Sequence, residues 1–142
     1  MLELARQALV AGGWDVWGAY LSPVNDAYWK KGLAPGRHRL VMCQKAVEDS
    51  DFIMVDGWEV EQGRYTRTLH VLEHLKDRLR RQLLVHDSGG NATTKASNTL
   101  QDGSNVRVML VCGADVVESM ADASVWKQDL LEVRCFVLVV KE

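Results

Sequence analysis

The stretch SPVNDAYWKKGLAPGRHR, residues 22–39, leaves the apolar run WDVWGAYL through a proline and sets Asp26, Tyr28, Lys30 and Lys31 on one short loop. Two other segments share this character: DGWEVEQGRYTRT follows the apolar DFIMVD, and GADVVES follows VRVMLVC. Taken singly, each reads as a solvated turn, because loops expose their backbone and carry charge at little cost. Taken together, they repeat polar and aromatic side chains that a core does not need, each time directly after an apolar run. In Cys112-Gly113-Ala114-Asp115 the glycine permits close backbone approach, and Asp115 falls at the start of a helix. It acts there as an N-cap or as an acceptor for a ligand hydroxyl or amide. Trp58, Tyr65 and Trp126 lie beside polar loop residues, where an aromatic face receives a flat ligand or packs at the core edge. His38, His70 and His74 have no partners at metal-ligand spacing.

The elements that must position these residues are readable from periodicity. Leu2, Leu4, Ala5, Ala8 and Leu9 recur at helical spacing until Gly12-Gly13 stop the run. WDVWGAYL reads as a strand. Pro35 opens a second helix through PGRHRLVMCQKAVEDS, with Leu40, Cys43, Ala46 and Val47 on one face. DFIMVD is a short buried strand. A third helix is expected from Gln62 to Leu84 on the stripe Leu69, Leu72, Leu75, Leu79 and Leu83, with Lys76, Arg78, Arg80 and Arg81 on its solvated face. The Gly-, Ser-, Thr- and Asn-rich residues 86–105 read as a mobile loop, and GGNATTK within it lacks the Gly-Lys-Ser/Thr ending of a phosphate-cradling loop. VRVMLVC and CFVLVV are further strands, with a helix starting in GADVVESM. Strands separated by helices imply βαβ units, hence an α/β domain built on a mostly parallel sheet. In such sheets ligands bind beyond the carboxyl ends of the strands, where the three polar segments fall.

Composition narrows the function classes. The 142 residues allow one domain with a real core, and a net charge of −2 offers no general attraction to nucleic acid or an anionic membrane. No apolar run approaches the ~20 residues that span a bilayer. Residues 1–12 do not read as a secretory signal. Cys43, Cys112 and Cys135 are odd in number and far apart, which fits reduced thiols in a reducing compartment.

The segments GAYLSPVNDAYWKKGLAPGRHRLVMC, DFIMVDGWEVEQGRYTRTLHVL, VMLVCGADVVESM and VWK closely resemble the eukaryotic nicotinamide/nicotinate mononucleotide adenylyltransferases. Order and spacing match over nearly the whole chain to about residue 131, apart from loop 86–105. The resemblance implies a Rossmann-like nucleotidyltransferase, a parallel sheet with flanking helices, that joins ATP to NMN or its acid form NaMN, giving NAD and pyrophosphate with Mg²⁺. It assigns Lys30, with Tyr28 beside it, to the mononucleotide and Lys31 to the ATP phosphates. Tyr65, Thr68, Val125 and Trp126 would hold the nicotinamide, with Tyr65 and Trp126 as the two stacking rings, and Gly113 with Asp115 would hold the nucleotide from the middle of the site. The physics fits, since a pyridinium between aromatic faces gains cation–π attraction of ~1–2 kcal/mol and lysines meet phosphate as mobile point charges.

Two motifs of that family have no counterpart in these residues: the GxFxPxxxxH loop after the first strand, and the ISSxxxR segment. The expectation is therefore a partial nucleotidyltransferase domain over 1–142, with no catalytic His or Arg of its own, no metal ligands, and little or no activity by itself. The alternative is a non-catalytic remnant or isoform that binds nucleotide or associates with a partner. The family's first strand lies centrally in the sheet, so Val16, Gly18 and the strand over 106–112 are expected to lack a neighbour. Expected partners are ATP and NMN or NaMN, with no nucleic acid and no membrane, in nucleus or cytoplasm; monomer and homo-oligomer both stay open.

Overall fold

The computed structural model describes residues 1–87, 106–122, 126 and 138–141. Helix α1 (Leu2–Ala11) leads into strand β1 (Asp15–Leu21); a 3₁₀ turn (Asp26–Tyr28) precedes helix α2 (Gly36–Ala46). Strand β2 (Ile53–Val55), helix α3 (Thr68–Asp87), strand β3 (Val106–Val108), helix α4 (Ala114–Ser119) and strand β4 (Leu138–Lys141) follow. The strands form one sheet in the order β2-β1-β4-β3.

Strands β1 and β2 pair in parallel, Ala19 opposite Ile53 and Leu21 opposite Val55. Strand β4 lies between β1 and β3 and runs antiparallel to both, so β1, β2 and β3 share one direction. The α/β architecture expected from the alternation of elements is present, with flanking helices and three strands in the parallel sense. The opposed β4 is a departure from a purely parallel sheet. It also corrects the expectation of an empty central position: Val16 is paired with Val140, Gly18 with Val139, and Val106–Val108 with the other edge of β4. The physical reason is that an inner strand with both edges bare leaves rows of backbone donors and acceptors unmet, and an apolar strand from later in the chain satisfies them in either direction. The register shifts between Val16 and Gly18, leaving Trp17 as the extra residue, half-exposed with its Nε1 donating to Asp15 Oδ2 at 2.8 Å.

The core lies where α1 crosses the sheet. Ala19 and Phe52 are buried at its centre, and Leu2, Ala5, Leu9, Trp14, Val16, Ile53, Met109 and Val111 pack around them. The guanidinium of Arg6 sits 4.5 Å from the Phe52 ring centroid and covers its outer face.

Two boundaries differ from the periodic pattern. Helix α3 begins at Thr68, because residues 57–64 form turns in which Gln62 bonds back to Glu59 and Trp58 and Gly63 interrupts any helix. The VRVMLVC run is strand only over Val106–Val108, as far as β4 pairs with it. The expected loop 86–105 overlaps α3 by two residues, and 88–105 lies outside the described residues, as do Val125 and Cys135. Among the described residues no helix is long and apolar enough to cross a membrane.

Because β4 serves two neighbours at once, a proline within it should be felt across the sheet. Val140→Pro removes a backbone donor from an inner strand, and losing one or two ladder bonds at ~0.5–1.5 kcal/mol each lowers the thermal midpoint by several degrees. A melt unchanged from wild type would show that β4 does not hold the sheet.

Candidate active site

Parallel pairing of β1 and β2 delivers the loops that follow them to the same sheet edge, and Asp56 N–H donates to Leu21 O at 2.9 Å just past the last paired residues. Side chains then bind one loop to the other. Asn25 is buried; its Nδ2 donates to Val60 O at 3.1 Å and to Gln62 O, while its Oδ1 accepts from Ala27 N at 2.8 Å and caps the 3₁₀ turn. Ser22 Oγ donates to Glu59 Oε2 at 2.7 Å. Asp26 Oδ1 accepts from Gly36 N at 2.7 Å and from Arg39 Nη2 at 2.8 Å, which fastens the loop to the start of α2. Gly36 is required here, since a Cβ would lie 2.5 Å from Val60 Cγ2. Trp29 closes the 3₁₀ turn in the left-handed region, φ 53° and ψ 46°, with its ring 91% exposed.

A second ion pair anchors the loop after β2. Asp56 is buried and accepts from Arg78 Nη1 at 2.8 Å, while the same guanidinium lies 5.3 Å from the Tyr20 ring centroid. Arg78 therefore points inward, unlike the solvated role its charge implies in the sequence. Trp58 stacks on His74, ring centroids 4.0 Å apart and planes 7° from parallel, so one face of this tryptophan is already occupied.

Between these loops and α3 opens a cavity of about 630 Å³. Tyr20, Ser22 and Tyr28 line it from the β1 side, Glu59, Tyr65 and Thr66 from the β2 side, and Thr68, Val71 and Leu72 from α3. Val116, Ser119 and Trp126 close it opposite, and Met1 with Leu2 border it as well. Its volume suits a small organic ligand, and its lining is mixed apolar and polar as such sites are. Tyr28 and Tyr65 stack on each other with centroids 5.9 Å apart. Trp126 is buried, with Nε1 donating to Ser119 Oγ at 3.1 Å.

Two carboxyls of the loops, Asp26 and Glu59, are tuned in opposite senses. The Gly36 N–H and Arg39 bonds hold Asp26 below the usual carboxylate range. Burial pushes Glu59 up; the Ser22 hydrogen bond and the charge of Arg39 offset part of this, and the Asp56 charge adds to it.

Of the residues singled out in the sequence, Tyr28, Tyr65, Thr68 and Trp126 are brought together on the cavity. Lys30 and Lys31 are exposed and line a separate shallow pocket of about 560 Å³ with Asp26, Trp29, Leu33 and Pro35. Gly113 and Asp115 are not in the cavity lining; they begin α4, whose Val116 and Ser119 are. Gly113 is the N-cap, so Asp115 sits one residue inside the helix, with no side-chain cap bond, folded so close that a Cβ on Gly113 would lie 2.5 Å from its Oδ1. Val125 lies outside the described residues. Sequence reasoning missed Ser22, Asn25 and Glu59. The one signal for Asn25 was its residue type in a loop just past Pro23, since an asparagine side chain bonds backbone two residues on and caps a turn.

The chain belongs to the cytidylyltransferase-like family, which it matches over residues 2–141, and its Rossmann-like fold carries a cavity beyond the strand ends. Among curated proteins it is 42% identical over 135 residues to the nicotinamide/nicotinic acid mononucleotide adenylyltransferase of Oryza sativa subsp. japonica, covering 95% of this chain and 48% of that protein. It is 41% identical over 135 residues to the protein of the same name from Arabidopsis thaliana, covering 95% and 50%. With nicotinamide/nicotinic acid mononucleotide adenylyltransferase 1 of Saccharomyces cerevisiae it shares 40% identity over 128 residues, 89% of this chain and 29% of that protein. The chain thus spans about half the length of the two plant relatives.

Asn25→Ala strands two carbonyls and a cap donor and should cost about 1–3 kcal/mol in chemical denaturation; a loss below experimental error would mean that the loops are held by other contacts. For Glu59 the sign is fixed by burial. A raised folded-state pKa favours the protonated form, so this group's contribution is full below the ordinary 4.5 and is lost as pH rises through the raised value. Glu59→Gln should flatten that part of the stability profile, and a mutant profile parallel to wild type would contradict the assignment.

Proposed function

We propose that this chain supplies the mononucleotide half of a nicotinamide/nicotinate mononucleotide adenylyltransferase site, for the reaction of ATP with NMN or NaMN to give NAD or its acid form and pyrophosphate. The observation that carries the reading is the cavity that gathers Tyr28, Tyr65, Thr68 and Trp126 from three separated stretches of chain. The names of the plant and yeast relatives support the substrate class.

In this reading the planar ring lies against Tyr65 and Trp126, with Thr68 at its edge. The ribose phosphate runs outward along the 22–31 loop, where Lys30 meets the mononucleotide phosphate and Lys31 the ATP phosphates. The backbone at Gly113 and the carboxylate of Asp115 approach the nucleotide from α4. Chemistry is in-line attack of an NMN phosphate oxygen on the α-phosphorus of ATP. One P–O bond forms, the bond to the bridging oxygen breaks, and pyrophosphate leaves without a covalent enzyme intermediate. The work of the protein is positioning and charge neutralisation. Magnesium enters as part of the MgATP substrate, held by triphosphate oxygens. Among the described residues no three His, Cys, Asp or Glu are grouped to hold a metal ion. The compartments proposed are nucleus or cytoplasm, in keeping with Cys43 and Cys112 as free thiols.

Two sets of variants test this. Trp126→Ala should weaken NMN binding by about 1–3 kcal/mol in calorimetric titration; unchanged affinity in a folded variant would remove Trp126 from the site. Lys30→Ala should raise the requirement for mononucleotide and Lys31→Ala that for ATP, each by about 1.5–3 kcal/mol. If neither substitution changes ligand affinity or NAD formation, the loop is merely solvated.

A further inference from the structure

Three of the acidic groups at the two strand-end loops differ in how their charge is met. Asp26 is paired with Arg39, and Asp56 with Arg78. Glu59 is held by the Ser22 hydroxyl, an uncharged donor, with Arg39 acting on it through space. It is 9% exposed, and it lines the same cavity as Tyr28, Tyr65 and Trp126. A carboxylate withdrawn from water and given no adjacent cation of its own is an attractive site for a cationic ligand, because the ligand restores the stabilisation that burial removed.

Building on the mononucleotide reading, we infer that Glu59 is a specificity-determining residue that reads the positive charge of the ligand's pyridinium ring. The cavity then combines two devices for one cation: aromatic side chains at Tyr65 and Trp126, and the desolvated carboxylate of Glu59, held in the same lining by Ser22. The chemical class selected is an N-ribosyl pyridinium, over a neutral ring of the same shape. The Ser22 hydroxyl acts as a positioning residue that keeps the carboxylate turned to the cavity. The groups that set its ionisation are Ser22 from the loop after β1, Asp56 from the loop after β2 and Arg39 from α2; the residues that α3 adds to the cavity lining, Thr68, Val71 and Leu72, carry no charge.

The test compares NMN with its reduced dihydropyridine form, which keeps the ribose, phosphate and carboxamide and loses the ring charge. Affinities are measured by calorimetry near pH 8 for wild type, Glu59→Gln and Ser22→Ala, with thermal melts to verify folding. The expected result is a wild-type preference for NMN that falls roughly tenfold in Glu59→Gln, the scale of one partly screened charge pair, while Ser22→Ala, which frees the carboxylate to turn, loses part of it. Equal weakening of both ligands in Glu59→Gln would make the glutamate a strut between loops and overturn the inference, as would an unchanged preference. Wild type that binds neither ligand would instead remove the mononucleotide reading on which the inference rests. If Glu59→Gln fails to fold, the carboxyl titration of Glu59 in the wild type, followed by carbon-13 NMR, decides. NMN should move it to lower pH, and no movement would overturn the inference.

Discussion

The buried amide of Asn25 is the interaction on which the candidate site depends. Strands β1 and β2 end side by side, but the loops that leave them have little regular structure to fix their spacing. Asn25 spends both donors and its acceptor on backbone groups of the two loops, joining residue 25 to 60 and 62 and capping the turn that presents Tyr28. A polar side chain at this depth is stable only when its hydrogen bonds are made, so the geometry is close to all-or-none. The Tyr28–Tyr65 stack and the Ser22–Glu59 bond follow from the same alignment. The tie of Asp26 to Gly36 and Arg39 extends it to α2.

The sheet beneath tolerates an unusual element because backbone pairing does not depend on direction. Strand β4 meets β1 and β3 in the antiparallel sense and completes the ladders that a parallel strand would otherwise occupy. The bulge at Trp17 is the local cost of fitting it against β1. What matters for function is that β1, β2 and β3 keep one direction, so their carboxyl ends still open on the same edge.

This division explains what could be read in the sequence. The helices and strands that carry period and punctuation, such as Leu2–Ala11 before Gly12-Gly13 and the apolar run before Ser22, follow from local chemistry. The polar segments after apolar runs marked the site edge, and the family resemblance named Tyr28, Tyr65, Thr68 and Trp126, which meet in one cavity. Partnerships between distant residues were not legible: the pairing of β4, the inward turn of Arg78 to Asp56 and the Ser22–Glu59 bond are tertiary choices with no periodic signature. Asp115 falls at the start of a helix as its sequence position implies, but in the first turn two residues past Gly113, which takes the cap. Lys30 and Lys31 lie on the expected loop yet outside the main cavity, since the left-handed turn at Trp29 carries the chain away from it.

The mononucleotide site proposed above lies between the loops after β1 and β2. Amide hydrogen exchange with and without NMN tests it most directly, since it reports each segment of the unaltered chain. Slowed exchange is expected over residues 22–28 and 57–68 and around 116–119, with α2 beyond its first turn unchanged. Binding of NMN that leaves both loops unprotected, or protects only surfaces away from the cavity, would contradict it.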